Sequence, residues 1–229
     1  MEIAEPTAPD PRPGLASLAE DAWRLTTEGP RPSVGPRVLL GLAGPPGAGK
    51  STLARALVER LGERAAYVPL DGFHLSNAQL ARLGLTARKG SEPSFDVYGY
   101  LALLRRVLAE PGRDVYVPDF DRTLDEPVAA RHRVPPSARL VITEGNYLGC
   151  DLPGWREARL LMGALWYVEA PGDVRQLRLV ERQLAGGRTR RGAEDWVRTN
   201  DRPNGVLVEG SRARADRIVS TIGLDMSFF

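Results

Sequence analysis

The chain has 229 residues and a single cysteine, Cys150. That excludes an internal disulfide framework and a multi-cysteine zinc site. His74 and His132 are the only histidines, too far apart to suggest a metal site. No apolar run approaches the ~18 residues of a membrane span. The start carries Glu2, Glu5 and four prolines within thirteen residues, not the basic and then apolar pattern of a signal peptide. A cytoplasmic protein without a membrane partner is expected. Net charge is only +2, so no nucleic-acid partner is implied either. Lysine is almost absent: of 31 Lys and Arg residues, only Lys50 and Lys89 are lysine. A coding bias towards arginine explains most of this, but a compact ammonium is not interchangeable with a planar guanidinium.

With 42% hydrophobic residues, the chain can bury a substantial core and is too apolar to be disordered. Residues 1–13 are Pro-rich and expected to lack structure, and residues 1–36 read as an appendage with one helix. Leu15, Leu18, Ala19, Ala22 and Leu25 supply that helix with a single face, and Gly29 to Pro36 form a stiff linker. The main domain is then 37–229. The continuous apolar run Val38–Ala43 predicts a strand buried on both sides. Further strands are expected at 65–70, 114–118, 140–143 and 165–169. Helices are expected at 51–61, 75–83, 96–108, 155–161 and 174–184. Residues 119–136 read as a long loop, and the Arg-rich tail from Gly186 has no clear pattern. This alternation predicts an α/β fold with a mainly parallel five-stranded sheet.

Gly44-Pro45-Pro46-Gly47-Ala48-Gly49-Lys50-Ser51 matches G-x-x-x-x-G-K-[ST] in full, with Thr52 next. It lies between a predicted strand and a predicted helix, the context a phosphate-binding loop needs. Glycines let successive N–H groups face one anion, and the helix N-terminus adds a favourable dipole. Lys50 then reaches the β- and γ-phosphates, and Ser51 ligates Mg²⁺. Such a loop says nucleoside triphosphate, not what becomes of it. A GTPase would want Asn-Lys-x-Asp, which two lysines at 50 and 89 cannot supply. A motor ATPase would usually end a central strand in Asp; here Leu140–Thr143 runs into Glu144.

A small-molecule kinase needs a carboxylate near the γ-phosphate and a basic lid. Asp71 follows the second strand, where α/β folds place ligands, and can accept the proton of an attacking hydroxyl. Alternatively it caps the next helix. Glu144 points by the same geometry at the metal–phosphate region. Arg175, Arg178 and Arg182 share one helix face, predicting a helical Arg-rich lid over roughly 175–204. The competing account is a solvated basic face with Glu181 as partner. Between Arg88 and Asp125, the polar residues Arg88, Lys89, Asp96, Asp121 and Arg122 should line an acceptor pocket, with His74 and Phe120 beside them. Both signs of charge there suit a polyhydroxylated or anionic molecule.

These segments, with Leu70–His74, Val117–Arg122 and Thr143–Leu148, occur in an order that resembles the phosphoribulokinase/uridine kinase family. Within it, they look most like its pantothenate-kinase-like branch, over roughly residues 15–222. The resemblance implies a three-layer P-loop NTPase sandwich, ATP with Mg²⁺, and phosphoryl transfer to a hydroxyl of a small molecule, in a monomer or homodimer. It implies Asp71 as base and Arg178 and Arg182 as lid arginines. Asn200–Asn204 is similar to a segment of the same branch, placed near nucleotide or lid. Uridine kinases carry Tyr and, five residues later, His where this chain has Phe120 and Asp125, so their base-recognising pair is missing. The alternative function is a nucleotide-dependent switch or assembly protein on the same fold.

Overall fold

A computed structural model describes residues 14–30 and 35–224. The Pro-rich start, and residues 31–34 of the expected linker, lie outside the described residues. Helix α1 (Leu15–Glu28) is followed by β1 (Val38–Ala43), α2 (Lys50–Leu61), β2 (Ala65–Pro69), α3 (Asn77–Arg82) and α4 (Val97–Ala109). Then come β3 (Val115–Asp121), β4 (Glu126–Val134), β5 (Leu140–Glu144), α5 (Trp155–Leu160) and β6 (Ala164–Glu169). The chain ends with α6 (Gly172–Ala185), α7 (Arg190–Trp196), a π turn (Val197–Asp201), α8 (Arg202–Glu209) and β7 (Arg217–Ser220).

Five strands form one sheet in the order β2-β5-β1-β6-β7, every neighbouring pair parallel. Every residue of β1, β2 and β5 is buried, because helices cover both faces. Leu39, Val141 and Leu165 pack on one face with Tyr100 and Leu104 of α4 and Trp155 of α5. Leu40, Leu42, Ile142 and Trp166 pack on the other with Leu53 and Leu57 of α2 and Leu18 and Ala22 of α1. The result is a three-layer sandwich. Helix α1 has no side-chain cap; burying Leu18 completely stabilises it instead, by about 1.5–3 kcal/mol.

Two expectations fail. Residues 119–136 are not a loop: β3 and β4 pair antiparallel as a separate hairpin, with a register shift between Val117 and Asp119. Val115, Val117 and Val134 are buried while Tyr116 is exposed, so alternation was present. Pro118 at the shift and Pro127 in β4 obscured it. Consequently the segment read as a strand at 114–118 does not join the main sheet. Its fifth place belongs to β7, in the tail that had no clear pattern. This edge strand buries only Val219, so it has no apolar run to announce it.

Arg37, 1% exposed, ties the start of β1 to the far layer. Its guanidinium donates to the carbonyls of Val107, Glu110 and Pro111 at the end of α4, and to those of Pro135 and Ala138. It therefore satisfies C-terminal helix carbonyls that no local residue caps. Among the described residues, no helix is long and apolar enough to cross a membrane.

Candidate active site

The sheet register sets the site. Glu144 pairs with Leu42 on one side and Pro69 on the other, so three strands end level. The loop from Gly44, the turn holding Asp71 and the end of β5 therefore emerge side by side. Gly44 has φ +147°, and a Cβ there would stand 2.1 Å from the Val168 carbonyl. Only glycine turns the chain at that point. Gly47 and Gly49 are also left-handed, and Gly49 precedes α2 without a side-chain cap. The first N–H groups of α2 are left to serve an anion.

Lys50 is buried, with its Nζ donating to the Pro45 carbonyl at 3.1 Å and to Asn146 Oδ1 at 2.7 Å. Burial lowers its pKa to about 8; Glu144 and Asp71 oppose the fall, while Arg182 and Arg175 add to it. The charges of all four are thus felt at one ammonium. Glu144 is 4% exposed. It accepts from the Tyr67 hydroxyl at 2.8 Å, and the nearby Ser51 hydroxyl favours its charged form. Burial, then the charge of Asp71, holds its pKa above the usual carboxylate range against the pull of Lys50.

Asp71 sits in a 3₁₀ turn, Leu70–Phe73, with a part-exposed carboxylate 3.5 Å from Arg122. Helix α3 starts only at Asn77 and is capped by Ser76, so Asp71 does not cap it. Beside it, a Cβ on Gly72 would lie 2.4 Å from the Pro118 carbonyl, because the β3–β4 hairpin rests on this turn. The three arginines of α6 diverge. Arg178 donates to the Gly47 carbonyl at 3.2 Å and to Thr221 Oγ1 at 3.4 Å, and Thr221 in turn donates to the Ala48 carbonyl. Arg182 lies 3.7 Å from Asp201, and Arg175 pairs with Glu209 at 2.7 Å.

On the other side of Asp71, the His74 ring lies between Phe95 and Phe120, with centroids 4.1 and 4.9 Å away. Its Nδ1 is 2.7 Å from the Asp71 carbonyl, and burial shifts its pKa downward, favouring the neutral ring. The Lys89 ammonium lies 4.9 Å from the Phe120 ring centre and bonds to Asn77 Oδ1 and to Asp125. Asp71, His74, Lys89 and Phe120 are thus one constellation. Asp96 instead caps α4 through Gly99 N. Asp121 is occupied by the hairpin turn, accepting from Thr123 N and Leu124 N and pairing with Arg131. Arg88 stands exposed on a neighbouring turn.

No family model matches the chain. A Schizosaccharomyces pombe protein named "Putative uridine kinase" is 36% identical over 199 residues, 82% of this chain and 85% of that one. A crystal structure of a "putative fructose transport system kinase" from Silicibacter sp. TM1040 is also 36% identical. It superposes with a TM-score of 0.77 over 89% of this chain and 98% of that one. The chain belongs to the P-loop kinases of the phosphoribulokinase/uridine kinase family. The structure of the Saccharomyces cerevisiae kinase YFH7 shares the fold at 21% identity, with a TM-score of 0.77 over 90% of this chain and 98% of that one.

Several residues of this kinase escaped the reading of its sequence. Asn146 holds Lys50, and the rule that found Glu144 at a strand end could have found it two residues on. Thr221 steadies the phosphate loop, but finding it requires knowing that β7 precedes it. Asp119 bonds to His132 at 2.8 Å and lies 3.8 Å from Arg55, beside the Tyr67 ring. That cluster exists only once the hairpin has folded over β2.

Proposed function

We propose that this ATP-dependent kinase transfers the γ-phosphoryl group to a hydroxyl of a small polyhydroxylated or anionic molecule, with Asp71 as base. The observation that carries the proposal is the level register of β1, β2 and β5, which brings the phosphate loop, Asp71 and Glu144 together. An acceptor hydroxyl between Asp71 and the phosphate loop gives its proton to the Asp71 carboxylate as its oxygen bonds to the γ-phosphorus. The bond from that phosphorus to the bridging oxygen breaks, and ADP leaves with the electron pair. Lys50, Arg178 and Arg182 stabilise the moving charge, and the helical segment 175–204 acts as a lid that excludes water. Lys89 and Arg122 orient the acceptor.

Ser51 and Glu144 suit Mg²⁺: both offer oxygen, the Ser51 hydroxyl is near enough to favour the charged carboxylate, and that carboxylate is buried with only one lysine to compensate it. Bound there with ATP, the ion neutralises charge on the β- and γ-phosphates. A switch without phosphotransfer would need Asp71 only as a helix cap, a role Ser76 fills. The test is ADP release with pantothenate, nucleosides, ketose sugars and sugar phosphates. One acceptor should stimulate release, and Asp71→Asn should slow it by about 10²–10⁴ with nucleotide affinity within about twofold. Unchanged turnover in the variant would remove Asp71 from the role of base.

A further inference from the structure

A polar clamp joins the segment proposed as the lid to the Lys89–Gly90 turn. Asn200, in the π turn, donates from Nδ2 to the Lys89 carbonyl at 2.7 Å. Asn204, one turn on in α8, donates to the Gly90 carbonyl at 3.3 Å, which also accepts from the Tyr147 hydroxyl at 2.8 Å. Both asparagines are buried, 2% and 4% exposed. Gly90 has φ +87°, so the chain turns sharply where it is held. The side chain of Lys89, projecting from this turn, reaches Phe120, which packs on the His74 ring, and Asp125.

The same short segment touches the donor side. Asp201, next to Asn200, lies 3.7 Å from Arg182, and its second oxygen is buried with no hydrogen-bond partner. A Cβ on Gly205, next to Asn204, would meet Arg175 at 3.4 Å and Pro45 of the phosphate loop at 3.9 Å. A cavity of about 730 Å³ lies between α6, the π turn and α8, bordered by Pro46 and Asp201. The segment therefore has room to shift when α6 does. π turns also carry an uneven hydrogen-bond ladder and often occur where a helix serves a site.

We infer that Asn200 and Asn204 are positioning residues that make the Lys89–Gly90 turn respond to nucleotide in the phosphate loop. A triphosphate draws Arg182 towards it and away from Asp201. The π turn and α8 adjust, and the two asparagines carry that adjustment to the acceptor wall. This rests on the assignment of nucleotide to the phosphate loop and of Lys89 to the acceptor pocket.

Hydrogen exchange of the full chain, with and without the non-hydrolysable analogue AMP-PNP and Mg²⁺, tests it. In the wild type, the analogue should slow exchange of amides 86–94 by about fivefold. Asn200→Asp keeps the shape and loses the donor; there the slowing should vanish while analogue affinity stays within about twofold. Asn204→Asp should behave alike and serves if the first variant does not fold. Tyr147→Phe removes a bond to the same Gly90 carbonyl from outside the helical segment, and should keep the nucleotide effect. Faster exchange in Asn200→Asp with the fivefold response intact is what a merely structural contact gives, and overturns the inference. Binding without slowing in the wild type overturns it alone; failure to bind the analogue overturns the phosphate-loop assignment as well.

Discussion

Lys50 must keep a charge in a place that disfavours it, and this makes its proton a probe of the phosphate site. In the protein alone, burial lowers its pKa to about 8, against about 10.4 for an ordinary lysine. A triphosphate beside the ammonium returns the stabilisation that burial removed, and the pKa rises at least to the ordinary range. Nucleotide binding must then take up a proton whenever the free lysine is deprotonated. With pKa values of about 8 and 10.4, uptake is about 0.1 proton at pH 7, 0.5 at pH 8 and 0.9 at pH 9. Affinity for nucleotide should accordingly fall most steeply around pH 9, by about sevenfold per pH unit, and level off above about pH 10.4. Stability runs the other way. Between about pH 8 and 10.4 the unfolded chain binds more protons at this residue than the folded one, so the unliganded protein gains stability as pH rises. Isothermal titration calorimetry at each pH, in buffers of different ionisation enthalpy, counts the protons. Lys50→Arg carries a permanent charge, so subtracting its uptake leaves the Lys50 proton alone. Equal uptake in wild type and variant, or none between pH 7 and 9, would refute the reasoning.

Two further predictions concern the supports of the site. Gly72→Ala puts a methyl group 2.4 Å from the Pro118 carbonyl, so the hairpin must move off the Asp71 turn. Thermal melting should show a loss of about 1–3 kcal/mol, with turnover reduced and nucleotide affinity kept; an unchanged melting curve would mean that the close approach is not maintained. Arg37→Met leaves the carbonyls that the guanidinium serves without their donor, at a cost of about 3–5 kcal/mol in urea denaturation. A loss below about 1 kcal/mol would show that water replaces the side chain.

The proposed donor half of this kinase is legible in its sequence because backbone would perform the recognition there. Gly44, Gly47 and Gly49 are required by the path of the main chain, and Lys50 and Ser51 follow at a fixed offset along one helix. The Val38–Ala43 run gives its strand away because helices on both faces leave it no polar position. Asp71 and Glu144 follow from one rule about strand ends, and the register levels Pro69, Leu42 and Glu144.

The proposed acceptor half obeys no such local rule. Phe120 and Lys89 come from a hairpin and a loop, and His74 joins them only because Phe95 and Phe120 clasp its ring. Asp96 and Asp121 looked equally suited by sequence, but local N–H groups claim their oxygens first, as caps and turns usually do. Asn200 and Asn204 reach residues more than a hundred positions earlier, across a π turn that no apolar periodicity marks. Transfer of one phosphoryl group from one donor needs the same cradle whatever the acceptor, so the cradle can be written as a motif. In the proposed mechanism, choice of acceptor falls to side chains that meet only after β4 has paired with β3 and α8 has packed beside the phosphate loop. Substitutions around Lys89, Phe120 and Arg122 should therefore change which molecule is phosphorylated, while those in Gly44–Thr52 change whether any is.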